Sequence, residues 1–273
     1  MRYARVLRVF SLVVCFLLLA STVCAVAQQP DDRPLVQPPD QQRLIADRFF
    51  EVLLRRPRPG TALDRVYSYH VQNQSMDEFM ASLDVTEDVE QAGERQMVLG
   101  MCQARRGNSS LAIQALKKAD AWLPDDAMAS YQLAKAMIAD GKATDARPVL
   151  ERAIQRRPSR TDAPDIYLDL GRMYLRSGQS EKALAVWKQL TDQFPGDLAI
   201  AEKVATALAD EQQLEAALDQ FNRLVENAKT ADTRIGYQIK AAELVARLGE
   251  VETARMEFQT ILDRLRPGSW LHT

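Results

Sequence analysis

Few side chains in this sequence could carry out chemistry. Among 273 residues there are two histidines, His70 on the apolar side of a predicted helix and His272 at the penultimate position. Neither lies near a second histidine or a cysteine in the sequence, as a zinc site would require. Phosphate-binding glycine loops and nucleophile motifs are also missing. The composition therefore predicts no catalysis, no cofactor and no metal site, and leaves binding as the chemistry to look for.

The first 27 residues predict export. Arg2, Arg5 and Arg8 precede an apolar run that begins at Val9, and Ala25-Val26-Ala27 is typical of a cleavage site. Residues 1–27 are interpreted as a signal peptide, which places the protein in the periplasm or cell envelope of a bacterium. The alternative is an uncleaved inner-membrane anchor, because residues 9–27 carry no charge and are long enough to span a bilayer.

Cleavage would change both the charge and the thiol content. Removing three arginines from the 35 basic residues leaves 32 against 37 acidic residues, a formal charge of −5. This charge predicts no nucleic-acid partner. Cys102 would be the remaining thiol, so an internal disulfide could not form, and its place in an apolar helix predicts a buried, unreactive side chain.

A repeated pattern organises the rest of the chain. One alanine recurs at intervals of 34, 37, 34 and 37 residues: Ala112, Ala146, Ala183, Ala217 and Ala254. Twelve residues before it stands another small residue: Gly100, Ala134, Gly171, Ala205 or Ala242. Four residues after it stands a bulky apolar residue: Leu116, Leu150, Trp187, Phe221 or Phe258. Because periods of this length mark repeat architectures, the pattern decides the fold class.

Each period predicts two helices joined by a tight turn. Gly107, Gly141, Gly178 and Gly249 stand five residues before the alanine, where a left-handed glycine would end the first helix, whereas the fourth period has Gln212 there. Small residues let the two helices approach closely, and the bulky residue fills the space beside the contact. Two periods carry three extra residues, 161–163 and 232–234, which are expected to lengthen connections.

On these positions the sequence resembles the tetratricopeptide repeat proteins. The resemblance covers five units: residues 93–126, 127–160, 164–197, 198–231 and 235–268. It implies an all-α superhelix (a solenoid of paired helices) that binds a protein or peptide segment on its concave surface. It also implies that certain positions of the leading helices face that surface. The candidate binding residues at these positions are Met97, Met101, Arg105, Tyr131, Lys135, Ile138, Leu168, Arg172, Leu175 and Arg176. The same positions in later units are Glu202, Thr206, Asp210, Ile239, Glu243 and Arg247.

The segments outside the repeats have their own predicted roles. Residues 28–39 are proline-rich and predict an extended spacer, and residues 40–92 predict an irregular helical N-terminal cap. Within this cap Ser75 and Glu78 are a predicted capping pair, and a helix is expected from Thr86 to Arg106. Residues 269–273 form a tail with Trp270 and Leu271, which could fold back or be covered by a partner.

Three functions fit this sequence. The first is a non-catalytic envelope adaptor that binds a protein segment in the repeat groove, with Tyr131, Leu168 and Leu175 as apolar anchors and Arg172 and Arg176 recognising acidic groups. The second is the regulatory or substrate-presenting front of a larger exported enzyme. The third is a structural subunit that self-associates. The sequence leaves the oligomeric state open, and membrane association would come through the N-terminal segment.

Overall fold

The computed structural model describes residues 39–265, which form thirteen α-helices and no β-strand. The chain divides into two compact units, residues 1–44 and 45–273, and the boundary falls inside the first helix. The predicted signal peptide, nearly all of the spacer and the tail lie outside the described residues. No helix in residues 39–265 is long and apolar enough to cross a membrane.

Three helices precede the repeats: α1 (Pro39–Arg55), α2 (Thr61–Gln72) and α3 (Met76–Leu83). Leu53, Leu63 and Val66 are buried in the same apolar cluster as the repeat helices. Ser75 precedes α3 but makes no capping bond to it, so the predicted capping pair is wrong. Its Oγ lies 2.8 Å from Nδ1 of His70 instead.

Ten helices follow in five pairs. The leading helices are α4 (Ala92–Arg105), α6 (Ala127–Ala139), α8 (Ala163–Arg176), α10 (Leu198–Asp210) and α12 (Ala231–Arg247). The trailing helices are α5 (Ser109–Trp122), α7 (Ala143–Gln155), α9 (Ser180–Gln193), α11 (Leu214–Asn227) and α13 (Val251–Arg264). The helix predicted from Thr86 starts only at Ala92, because Gln91 adopts a left-handed conformation with φ 57° and interrupts it.

The turns inside each pair have the predicted conformation. Gly107, Gly141, Gly178 and Gly249 have φ between 74° and 95°, and Gln212 takes φ 60° in the fourth pair despite its side chain. The two three-residue insertions behave differently from each other. Thr161 and Asp162 lie in a turn before α8, but residues 232–234 lie within α12, which begins at Ala231. The second insertion therefore extends a helix, which corrects the prediction that it lengthens a connection.

The small and bulky positions meet as the sequence predicts. Ala112, Ala146, Ala183 and Ala217 are fully buried. A Cβ atom added to Gly100 would lie 2.4 Å from Cγ of Leu116, and one added to Gly171 would lie 2.0 Å from Nε1 of Trp187. Both separations are shorter than van der Waals contact, so the bulky residue of each trailing helix occupies the space that the glycine leaves.

Candidate protein-binding surface

The leading helices α4, α6, α8, α10 and α12 form the surface on which the ten candidate residues were predicted, called here the leading-helix surface. At α4 this surface is covered. Met97 is fully buried and Met101 is 4% exposed. They share an apolar cluster with Leu63 and Val66 of α2, and α3 also packs on α4. The prediction that Met97 and Met101 face an open groove is wrong, because the non-repeating N-terminal helices occupy that space.

Arg105 is engaged by the same N-terminal helices. Its guanidinium donates to Asp64 of α2 and lies 5.2 Å from the ring centroid of Tyr67. An ion pair combined with a cation–π contact holds the side chain against α2. Arg105 thus joins α4 to α2 rather than extending from a free surface.

The candidates on α6 form a partly closed cluster. Tyr131 is 5% exposed, and its hydroxyl donates a 2.7 Å hydrogen bond to Asp169 of α8. Burial, together with the negative charge of Asp169, raises the pKa of Tyr131 above its usual value. Lys135 lies over the Tyr131 ring at 5.5 Å, and Ile138 is half-buried against the core. Tyr131 links two leading helices and is not the open apolar anchor that was predicted.

The four candidates on α8 retain accessible surface. Leu168 and Leu175 are half-buried, and Arg176 is exposed with no partner among the described residues. Arg172 is partly exposed and donates to Glu211 at 3.2 Å and to Asp169 at 3.4 Å. Of the ten candidates, these four lie together on a surface that the N-terminal helices leave open.

A groove of about 410 Å³ lies between α8 and α10. Its lining residues are Leu168, Arg172, Ala199, Glu202, Lys203, Thr206, Ala207 and Asp210. Lys203 is exposed and pairs with no described residue, whereas Glu202 accepts a hydrogen bond from the Tyr237 hydroxyl at 3.1 Å. The sequence did not predict Lys203 as a groove residue, because it follows the predicted facing position Glu202 by one residue. The long lysine side chain can nevertheless reach the groove from there. The groove offers apolar contacts beside charges of both signs.

A second feature that the sequence did not reveal is the link between α1 and α2. Arg58 donates to both carboxylate oxygens of Asp126 at 2.9 Å and also contacts Asp162 at 3.3 Å. Asp126 and Asp162 immediately precede α6 and α8. The link therefore crosses the starts of two successive leading helices, through contacts between residues far apart in the sequence.

Packing accounts for His70 and Cys102, whereas His272 lies outside the described residues. The His70 ring stacks on Phe79 with centroids 4.0 Å apart, and its pKa is lowered by burial, against which Asp47 acts in the opposite direction. Cys102 is fully buried, and burial raises its thiol pKa to about 12. Within residues 39–265, no cluster of histidine, cysteine and acidic side chains could hold a metal ion.

Fold and surface together define a helical-repeat protein with a groove between two of its leading helices, α8 and α10. The tetratricopeptide repeat family model matches residues 103–163 and 137–208. Residues 103–208 therefore consist of tetratricopeptide repeats. Comparison with curated proteins gave no match.

Among solved structures, the C-terminal part of a tetratricopeptide repeat-containing protein from Cytophaga hutchinsonii is similar to this chain. Its TM-score is 0.54 at 17% identity, over 85% of this chain and 93% of that chain. MamA from Desulfovibrio magneticus has a TM-score of 0.43 at 20% identity, over 63% of this chain and 93% of that chain. YrrB, a tetratricopeptide repeat protein with an unusual peptide-binding site, has a TM-score of 0.44 at 18% identity, over 72% of this chain and 96% of that chain. At these identities the likeness concerns the fold alone.

Proposed function

We propose that this protein is a non-catalytic adaptor of the bacterial cell envelope that binds a protein or peptide segment in the groove between α8 and α10. The family supports a scaffold for protein–protein interaction. The N-terminal sequence supports export, either into the periplasm or onto the inner membrane through residues 9–27. If the mass of the mature protein corresponds to a chain that starts at Gln28, the signal peptide is cleaved and the protein is released. A full-length mass in the membrane fraction would favour the anchor.

The groove itself carries the proposal. Leu168 and Ala199 line the groove and supply apolar contact area, and Lys203 in its wall is a cation with no partner among the described residues. Leu175 and the equally unpaired Arg176 lie one turn further along α8 from Arg172 and extend this surface beside the groove. A bound segment with acidic side chains could pair with these two cations while its apolar side chains lie on the leucines. Arg172 contributes less recognition than the sequence suggested, since Glu211 and Asp169 already hold it.

Charge reversal at Lys203 in the groove and at Arg176 beside it tests this proposal. Crosslinking capture from an envelope extract would compare the unmodified chain with an Arg176→Glu, Lys203→Glu double variant. Partners captured by the first and lost by the second would then be purified, and their affinity for both forms measured. Arg172 is left intact because its reversal would also break the contact between α8 and Glu211.

Lys188→Glu, Arg223→Glu provides the matched control. Both residues lie on trailing helices, with side chains 67% and 61% exposed and each in a local ion pair. The control should capture the same partners as the unmodified chain. Equal loss in both double variants would mean that overall charge, not the groove, governs binding.

Self-association is the second candidate, favoured by exposed apolar side chains on the last described helix. Val251, Met256 and Leu262 of α13 are 61%, 60% and 52% exposed. Apolar side chains concentrated on a terminal repeat often contact a partner surface. Light scattering over a concentration series should then show a mass that rises with concentration and falls for Met256→Glu, but not for Val71→Glu on α2, which is 50% exposed in the unmodified chain. A constant monomer mass would exclude this candidate.

A further inference from the structure

The link between α1 and α2 lies on the repeats in the manner of a bound peptide. It is called here the α1–α2 corner and consists of residues 56–60, Arg-Pro-Arg-Pro-Gly. Prolines at two of the five positions favour an extended backbone. The polar contacts of the corner with the repeats come from its two arginine side chains, while Pro57 is buried.

These arginines are held by carboxylates on two successive repeats. Arg58 forms a bidentate pair with Asp126 and a second contact with Asp162, and its side chain is 21% exposed. Arg56 lies 3.3 Å from Asp162 and 3.4 Å from the hydroxyl of Ser159. Planar guanidinium–carboxylate pairs of this kind are directional, so the two carboxylates define a site for arginine rather than a diffuse acidic patch.

Both carboxylates are held by nearby groups of the repeats. Asp126 accepts a 2.9 Å hydrogen bond from the amide of Met128 at the start of α6. Asp162 accepts from Ser159 at 2.9 Å just before α8. Although burial acts to raise it, the pKa of Asp162 is lowered by Arg58, Ser159 and Arg56 together. The repeats therefore supply both carboxylates, and the arginines of the corner favour the ionised form of Asp162.

The corner does not fill the space around it. Cavities of about 470 Å³ and 720 Å³ lie on its two sides, and Arg56 and Arg58 line both. Gln132, in the wall of the smaller cavity, is 8% exposed, and its Nε2 has no hydrogen-bond partner. A buried amide without a partner is costly, so a segment that supplied an acceptor there would gain stability over the corner.

Unused charges around these cavities favour a more basic occupant. Asp125 in the larger cavity and Asp165 in the smaller one pair with no described side chain. The positive charges of Lys135 and Arg157, which line the same cavities, disfavour a basic occupant. The charge of Arg156 is already paired with Asp120. An extended segment with further cations beside its two arginines could reach the carboxylates that the corner leaves unpaired.

We propose that the starts of α6 and α8 form a docking site for an arginine-containing extended segment of a partner protein, and that the α1–α2 corner occupies this site in the isolated chain. The tethered corner competes at a high effective concentration, so a partner segment must displace it. This site is separate from the groove between α8 and α10, and it needs a basic partner segment where that groove favours an acidic one.

A labelled peptide tests the proposal. The probe is the fluorescein-tagged sequence of residues 54–61 (LRRPRPGT), and its binding to the full chain is followed by fluorescence anisotropy. The Arg56→Ser, Arg58→Ser double variant should bind the probe at least about tenfold more tightly than the unmodified chain, because the internal competitor is weakened. A probe with glutamine at its three arginines should not bind, and added salt should weaken the interaction.

Removal of the carboxylates distinguishes this site from non-specific charge. Asp126→Asn and Asp162→Asn, added to the double variant, should abolish the gain. Asparagine at position 126 can still cap α6, and the Asp162 side chain makes no capping bond to α8 that could be lost. Asp210→Asn and Glu211→Gln, beside the other groove, should leave the gain in probe affinity unaltered. Equal probe binding by the double variant and the unmodified chain would overturn the proposal.

A second measurement guards against misfolding of the double variant. Hydrogen exchange of the unmodified chain, with and without the untagged peptide at its highest soluble concentration, should show faster exchange in residues 61–64 once the corner is displaced. Unchanged exchange there would also overturn the proposal. Arg58→Lys, which keeps the charge but loses the bidentate geometry, should give an intermediate gain in probe affinity.

Discussion

At the scale of single residues, this chain depends on pairs in which one member has almost no side chain. Gly171 on α8 faces Trp187 on α9, and Trp187 is 1% exposed. The indole Nε1 also donates a 3.4 Å hydrogen bond to the carbonyl oxygen of Leu168. The indole can occupy this position only because residue 171 lacks a Cβ atom.

Gly171→Ala is expected to lower the free energy of unfolding by roughly 1–3 kcal/mol through overpacking. The new methyl group would lie 2.0 Å from the indole nitrogen, so either Trp187 or the helix backbone must move. Urea unfolding followed by tryptophan fluorescence would measure the loss and report the displaced indole.

Gly236→Ala is the matched control for this prediction. Gly236 lies within α12, and a Cβ atom there would meet nothing within 4 Å. Because alanine restricts the unfolded chain and favours helix, it should raise the free energy of unfolding by about 0.5–1 kcal/mol. Equal destabilisation by both substitutions would show that the loss at position 171 does not come from the contact with Trp187.

The sequence predicts such contacts because they repeat, and it misjudges side chains that meet a non-repeating neighbour. The spacing of Gly171 and Trp187 recurs in every unit, so the contact follows from the pattern. The exposure of Met97 depends instead on how α2 and α3 pack, and no periodicity encodes that packing. Tyr131 is similar, since its closure depends on Asp169 in the next repeat.

At the scale of helices, an ionic network joins α5, α6 and α7. Asp120 is 8% exposed and accepts from Ser130 at 2.6 Å, Arg152 at 2.5 Å and Arg156 at 2.8 Å. Arg156 also donates to the carbonyl oxygens of Asp120, Leu123 and Asp126. The network thereby fixes the connection between α5 and α6 against the end of α7. The sequence period places these residues on successive helices but does not show that they meet.

Arg156→Met is expected to lower the free energy of unfolding, at the lower end of the roughly 3–5 kcal/mol typical of a broken buried pair. Ser130 and Arg152 would still contact Asp120, which limits the loss. Three backbone carbonyls would also lose the Arg156 donor, although those of Leu123 and Asp126 still accept from the amides of Asp126 and Ala129. Chemical unfolding followed by circular dichroism at 222 nm, a standard helix wavelength, measures this change.

The neighbouring Arg157 provides the control. It is exposed and has no partner in the described part of the chain. Its φ of 53° is left-handed, and arginine and methionine have a similar cost in this conformation. Arg157→Met should therefore change stability by less than about 0.5 kcal/mol. A large effect at Arg157, or none at Arg156, would mean that the network does not secure this junction.

At the scale of the whole molecule, the two ends of the described repeat array differ in how deeply their helices are buried. Nine residues of α4 are buried, whereas in α13 only Ala254 and Ile261 are. The N-terminal helices cover α4, while α13 presents exposed apolar residues on the last pair. Because a repeat array is held by contacts between neighbours, its stability should follow this gradient.

Hydrogen exchange should therefore be fastest in α13 and slowest in α4 to α6, with rates differing by at least about tenfold. Ile261→Ala sharpens the test, since it removes one of two buried side chains in α13. It should speed exchange in α13 and in the adjacent α12, yet leave α4 to α6 unchanged, because each pair is stabilised mainly by its neighbours. If exchange accelerated uniformly across all ten repeat helices, the array would unfold as one cooperative unit, and the burial gradient would not control its opening.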